Sequence, residues 1–179
     1  INGFGNLATL IGQLEIIYND ELEEIAGFES LAIIEGDLTV IDGELSSVAW
    51  LQSLTSIEGN VKIGLDSLEN LDGLSNLNQI GGDLILYQSD QPKLANLDGL
   101  SGITHVPGDL NLSGLHALGC TPDIFNGLLS IGGRLRLKDM GMSSFGDVCG
   151  PDGGVLDGFA ALETIDGNLE LDENYNKSI

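Results

Sequence analysis

Basic residues are scarce in this chain: 6 lysines and arginines stand against 28 aspartates and glutamates, so the formal charge is 6 − 28 = −22. A field of that sign repels phosphates and anionic membrane surfaces, which makes nucleic acid and charged bilayers poor general partners. No apolar run approaches the ~18 residues that cross a bilayer, so membrane insertion of this segment is not expected. Histidines number 2 and cysteines 2, without CxxC or HxxxH spacing. With so few nitrogen and sulfur ligands, neither a metal site nor a cofactor is expected. A DxDxDG calcium loop, a phosphate loop, an HExxH motif and a nucleophile constellation are all missing. Aromatic residues amount to 5%, and they form no strip on which sugars would stack.

What is abundant is regularity. Hydrophobic residues make up 42% of 179 residues, enough for one domain with a sizeable core. The motif LxxIxGxLxI, with conservative swaps, runs over Leu7 to Ile16, Leu31 to Val40, Leu54 to Ile63, Leu77 to Leu86, Ile103 to Leu112, Leu128 to Leu137 and Leu162 to Leu171. Its glycines are Gly12, Gly36, Gly59, Gly82, Gly108, Gly133 and Gly167, at spacings of 24, 23, 23, 26, 25 and 34. A bulky residue lies three positions upstream of each copy: Phe4, Phe28, Leu51, Leu74, Leu100, Phe125 and Phe159. Another apolar position precedes it, as in Ile25, Val48, Leu71, Leu97 and Leu156.

The spacing dictates the local structure. In GxLxI apolar and polar residues alternate, the period-2 signature of a half-buried strand. Leu38 and Val40 are expected to point inward, Asp37 and Thr39 outward. The LxxI and LxxL steps, with a period near three, fit tight corners or short 3₁₀ arcs. One turn of ~23 residues cannot bury its own apolar face, but a stack of turns can. A doubly wound α/β sheet would need helices of at least ~10 residues between strands, and the Gly- and Asn-punctuated stretches are too short for them.

These units resemble the leucine-rich-type repeats of receptor L domains and of related secreted cell-surface proteins. They also resemble the LxLxxNxL pattern of ordinary leucine-rich repeats, most closely at Leu14, Ile16, Asn19 and Leu22; Asp42, Ser89 and Leu115 stand where that Asn would recur. The resemblance implies an all-β, right-handed parallel β-solenoid of about seven turns of 23–26 residues. It further implies a non-enzymatic recognition or adhesion module, extracellular or at the cell surface, whose partner is a protein or a glycan.

The 34-residue step places about ten extra residues in a Gly-, Ser-, Asp- and Pro-rich insert over 139–155, which reads as a loop leaving the coil. Met140, Met142 and Phe145 are suited to packing it back onto the stack. Cys120 follows the fifth strand and Cys149 the sixth by a similar arc. They are placed to meet as a disulfide in an oxidising compartment, or to remain two buried thiols.

The outward positions read as Gln13 and Glu15; Asp37 and Thr39; Asn60 and Lys62; Asp83 and Ile85; Asp109 and Asn111; Arg134 and Arg136; Asn168 and Glu170. Arg134, Arg136 and Lys138 hold half of the 6 basic residues at alternate positions of one strand. Asp109 and Asn111 are expected on one side of this rung, and Asn168, Glu170 and Asp172 on the other. The set forms either cross-strand ion pairs or a site for an anionic ligand, with Asn111, Arg134, Arg136, Lys138 and Glu170 as the binding residues. Asp109, Arg134 and Lys138 are also the residues a polysaccharide-cleaving enzyme would use, although acid–base work needs groups that converge on a pocket. Threonines such as Thr9, Thr39 and Thr55 fall at differing register, unlike the regular ranks of an ice-binding face. NxS sequons occur at Asn111 and Asn176 and would carry glycans in a eukaryotic secretory route.

The chain begins on Ile-Asn-Gly in mid-repeat and reads as one repeat domain, residues 1–179, cut from a longer protein. Neither end carries a polar cap, so self-association through the terminal turns, as in a filament or wall, is the second expectation for function.

Overall fold

The computed structural model describes residues 3–41, 43–88, 92–118, 125–140 and 157–173, and these form a parallel β-solenoid without an α-helix. Each repeat contributes a short strand and a longer one. They are β1 (Thr9–Leu10) and β2 (Leu14–Ile17), β3 (Ile33–Ile34) and β4 (Leu38–Ile41), and β5 (Ser56–Ile57) and β6 (Val61–Gly64). Then come β7 (Gln79–Ile80) and β8 (Leu84–Tyr87), β9 (His105–Val106) and β10 (Leu110–Ser113), β11 (Ser130–Ile131) and β12 (Leu135–Lys138), and β13 (Thr164–Ile165) and β14 (Leu169–Asp172). The longer strands stack in chain order into one seven-stranded parallel sheet. Because β2 and β14 have a neighbour on one side only, the seven rungs expected from the repeats amount to about five complete turns.

Strand register follows the glycines. Leu14 pairs with Leu38, Leu38 with Val61, Val61 with Leu84, Leu84 with Leu110, Leu110 with Leu135, and Leu135 with Leu169. Each of these residues lies two positions after an anchoring glycine, and the 34-residue step is bridged as cleanly as the others. Inward positions form continuous aliphatic columns: Leu38, Val61, Leu84 and Leu110 are fully buried, and so are Val40, Ile63, Leu86 and Leu112 to within 2%. Burying each such side chain contributes about 1.5–3 kcal/mol, which no single turn can collect alone.

The glycine column is where successive turns touch backbone to backbone. The Gly36 N–H donates to the Gly12 carbonyl at 3.1 Å, Gly59 to Gly36 at 3.2 Å, Gly133 to Gly108 at 2.9 Å and Gly167 to Gly133 at 2.8 Å. A Cβ on Gly36 would lie 2.6 Å from the Gly12 carbonyl carbon and 2.7 Å from the Gln13 nitrogen. Only a residue without a side chain permits that approach.

The remaining arc departs from the expected corners in one respect. The upstream LxxL steps do form 3₁₀ turns, at Ala49–Leu51, Asp72–Leu74 and Asp98–Leu100. The Ile of LxxI, however, lies on a short strand rather than at a corner. These short strands form a second face that divides into a four-stranded sheet (β1, β3, β5, β7) and a three-stranded one (β9, β11, β13). Pro107 lies at the division. In four of the other turns the residue after the short strand donates to the previous one, as Glu58 N–H does to Ile34 O and Gly132 N–H to Val106 O, while Gly81 N–H donates to Gly59 O. Proline has no N–H to give.

Aromatic residues seal the first turns: the Phe4 and Phe28 rings stack at 5.1 Å, and Phe28 meets Trp50 at 5.5 Å. Phe125 and Phe159 stack at 5.7 Å near the other end. No described helix is long and apolar enough to cross a membrane.

Candidate functional site: the outward face of the long sheet

Three outward rows cross the long sheet, at the first, third and fifth positions after each glycine. The first row is bound up in a ladder that links the rungs through side chains. Asp37 Oδ1 accepts the Asn60 backbone N–H at 2.7 Å, and Asn60 Oδ1 accepts that of Asp83 at 2.8 Å. Asp83 Oδ1 accepts from Asp109, and Asp109 Oδ1 from Arg134, both at 2.7 Å. These residues point outward as the strand alternation predicts, and they also cap one another's backbone. The signal was the Gly-Asp or Gly-Asn pair in four consecutive units. The ladder stops at Arg134 because a guanidinium has no acceptor atom.

Beyond that point ion pairs take over. Arg134 Nη2 lies 2.9 Å from Asp109 Oδ2 and its Nη1 3.4 Å from Glu170. Arg136 contacts Glu170 at 3.7 Å and Asp172 at 2.8 Å, and Lys138 Nζ lies 3.6 Å from Glu173. The rung thus brings Arg134, Arg136, Lys138 and Glu170 together, and its three cations face four carboxylates. Of the two readings left open by the sequence, cross-strand pairing fits this geometry, and an anion would have to displace carboxylates already seated. The backbone N–H of Arg134, and after it the guanidinium, hold the Asp109 carboxyl below the usual carboxylate range against the opposing effect of burial. The pairs with Asp109 and Glu170 raise the Arg134 pKa in turn.

Asn111 sits in mid-strand on β10, in register with Ile85 on one side and Arg136 on the other. Its Oδ1 is buried and has no hydrogen-bond partner among the described residues. At the strand ends His116 Nε2 approaches Asp139 Oδ1 at 3.1 Å. Asn176, Cys120, Cys149 and nearly all of the 139–155 insert lie outside the described residues. Of the insert's apolar residues, Met140 is described and buried.

The first four rungs differ in character. In the fifth-position row Ile17 pairs with Ile41, Ile41 with Gly64, and Gly64 with Tyr87. The Tyr87 ring occupies the space that a Gly64 side chain would fill, so it lies back across the neighbouring strand. Lys62 Nζ stands 5.8 Å from the centre of that ring, a cation–π approach from the row beside it. Ile17 and Tyr18 are exposed, and Tyr18 is held at a positive φ of 56°. The face expected to be polar and mixed therefore carries an aliphatic and aromatic strip along one margin. The glycine spacing already sets Gly64 and Tyr87 in register, but the outward positions read from the sequence stop at the third residue after each glycine, one place short of this row.

The chain matches no family model, no curated protein and no solved structure. What this surface can do is accordingly read from its own chemistry. It offers a rigid floor, fixed spacing between rungs of about 4.8 Å, a paired ionic half and an aliphatic–aromatic margin. Among the described residues no three His, Cys, Asp or Glu side chains are grouped as metal ligands.

Proposed function

We propose that this chain is a non-catalytic recognition or adhesion module of the receptor-L-domain kind, working outside the cell or at its surface and engaging a protein or glycan through the long sheet. The observation that carries this reading is the Tyr87 ring laid over Gly64 with Lys62 5.8 Å from its centre, in a row that Ile41 and then Ile17 continue on the preceding strands. An aromatic ring on a rigid backbone, with a cation and aliphatic neighbours, contributes contact area at low entropic cost, as binding hot spots do. The ionic rung around Arg134 serves as the rim, since its charges are already paired and cost more to desolvate than they return. The test is binding of the intact chain to arrays of glycans and of surface proteins, repeated with Tyr87→Ser and with Arg136→Glu. Ligands lost at least tenfold with Tyr87→Ser and retained with Arg136→Glu support the margin as the contact. Ligands indifferent to Tyr87 remove it.

A second reading, assembly through the terminal rungs, is favoured by one observation: Leu169 and Leu171 of β14 are inward-type residues yet 59% and 58% exposed. Placing β2 of a second copy on β14 would cover them, but it would set Glu15 against Glu170 in register. Light scattering that shows no growth with concentration, even at high salt, removes this reading.

A further inference from the structure

We propose that the outer edge of β14 takes up an extended segment of a protein partner in which aliphatic and basic residues alternate, adding it to the long sheet as a parallel strand. β14 has a hydrogen-bonded neighbour, β12, on one side only. On every earlier long strand the residue two places after the glycine donates its N–H forward to the next rung. Leu84 donates to the Asp109 carbonyl at 2.8 Å, Leu110 to Arg134 at 2.8 Å and Leu135 to Asn168 at 2.9 Å. On the later strands the residue six places after the glycine does the same: Gln88 to Ser113 at 3.1 Å, Gly114 to Lys138 at 2.9 Å and Asp139 to Asp172 at 3.0 Å. On β14 these places belong to Leu169 and Glu173, and no further rung among the described residues receives their N–H groups. Glu173 is already held at a φ of 53°, close to the 49° of Asp139, so the closing donor is turned as a next strand requires. Such rows of backbone groups recruit strands, and the ladder they form supplies affinity.

The side chains of β14 determine what kind of strand fits. Leu169 and Leu171 continue the columns of Leu135 and Leu137, yet they are 59% and 58% exposed where those neighbours are 3% and 2%. Aliphatic residues at alternate positions of an added strand would cover them. Charge on the outward side is arranged unevenly. Arg134 has carboxylates from both adjoining rungs, Asp109 at 2.9 Å and Glu170 at 3.4 Å. Glu170 and Asp172, among the described residues, meet cations of β12 alone, and residues 158–173 hold five acidic residues and neither lysine nor arginine. A carboxylate has two oxygens and accepts several donors, so basic side chains on the far side would complete the alternation of charge without displacing the arginines. A second copy is the poorer occupant: its β2 in the same register sets Glu15 against Glu170, and two chains of charge −22 repel. The inference uses no residue of the Tyr87 margin, and it gives this edge a different occupant from self-assembly.

The experiment titrates the intact chain, at physiological salt, into a fluorescein-labelled eight-residue peptide of alternating lysine and leucine. The expected result is a saturable rise in anisotropy. The apparent Kd should be at least tenfold weaker for a peptide with glutamate in place of lysine, and for a lysine peptide N-methylated at every amide. With the unlabelled lysine peptide bound, amide exchange at Leu169 and Glu173 should slow at least fivefold while β2, at the opposite end, stays unchanged. Leu171→Lys should weaken binding at least tenfold, and Ile11→Lys, at an 82% exposed position of the first turns, should leave it as in the wild type. The exchange measurement needs no variant, so it decides the matter even if Leu171→Lys fails to fold. The proposal is overturned by no saturable binding, by equal affinity for the glutamate or N-methylated peptide, by equal effects of the two variants, or by slowed exchange that spares β14 or reaches β2 equally. It is also overturned if the chain without peptide grows with concentration in light scattering while β14 exchange slows in step, since a second copy would then hold the edge. Array ligands that depend on Tyr87 survive any of these outcomes, so the two readings fail separately.

Discussion

At the scale of single residues, the solenoid depends most on positions with no side chain at all. A Cβ on Gly36 would meet only backbone: the Gly12 carbonyl carbon and oxygen at 2.6 and 2.8 Å, and the Gln13 nitrogen at 2.7 Å. No rotamer relieves such a clash, so two turns would have to part. Gly127 is a useful contrast, since its nearest neighbour is the Ser101 oxygen at 3.3 Å. Gly36→Ala is therefore expected to lower unfolding free energy by about 2–4 kcal/mol, the range of severe backbone or packing errors, and Gly127→Ala by less than about 1 kcal/mol. Urea denaturation of both variants checks the pair; equal effects would deny the glycine column its role. Asp109 permits a second prediction, on pH. Its folded pKa is depressed by the Arg134 backbone and guanidinium contacts. A depressed carboxyl contributes stability that is present above the unfolded value of about 3.9 and is lost as pH falls through the folded value. Asp109→Asn keeps a side-chain acceptor for the ladder, as Asn60 does for Asp83, but loses the ion pair. The variant should be less stable than the wild type at pH 6, and the difference should narrow as pH falls below the unfolded value, measured by denaturation at each pH.

Elements show what a sequence can disclose and what it cannot. The long sheet was legible rung by rung because a glycine fixes where turns touch, and strand alternation then fixes which side chains go inward. The split of the second face at Pro107 was legible in principle, since proline always lacks a donor, but only once the Ile of LxxI is known to lie on a strand. Side-chain partners were out of reach. Asp37 and Asn60 look merely polar in the sequence, and their capping role needs the backbone of the next turn in place. Gln88 is the clearest case: nothing in its context marks it, yet it is 4% exposed and ties three segments together. Its Nε2 donates to the Leu65 carbonyl at 2.8 Å and the Leu68 carbonyl at 3.0 Å, and its Oε1 accepts the Leu94 N–H at 3.0 Å. Leucine there would keep the volume but orphan the Leu68 carbonyl and the Leu94 N–H, each costing about 1–3 kcal/mol, while the Leu65 carbonyl keeps the Leu68 N–H. Gln88→Leu should thus cost about 2–4 kcal/mol, with faster hydrogen exchange concentrated in residues 65–68 and at Leu94. Uniform change along the whole coil would contradict a local clamp.

For the whole molecule, two electrostatic effects oppose each other and act in different places. Twenty-two uncompensated negative charges repel one another across the coil, and that repulsion weakens the compact state. Added salt screens it, because the Debye length shrinks from about 30 Å at 0.01 M to about 8 Å at 0.15 M. The last rung responds in the opposite sense. β14 lacks the side-chain ladder bonds that join the five rungs from Asp37 to Arg134, and its side chains are held through Arg134, Arg136 and Lys138 to Glu170, Asp172 and Glu173. Such half-exposed pairs are each worth about 1 kcal/mol or less and weaken in salt. Stacked repeats exchange stability only with their neighbours, so a loosened end need not loosen the middle. Raising salt from 0.01 to 0.15 M should therefore raise the global denaturation midpoint while speeding amide exchange in β14 and leaving β6 unchanged or slower. A fall in the midpoint would mean that the few ion pairs outweigh the net charge. Slower exchange in β14 would mean that the terminal rung is held by its backbone pairing and not by the arginines.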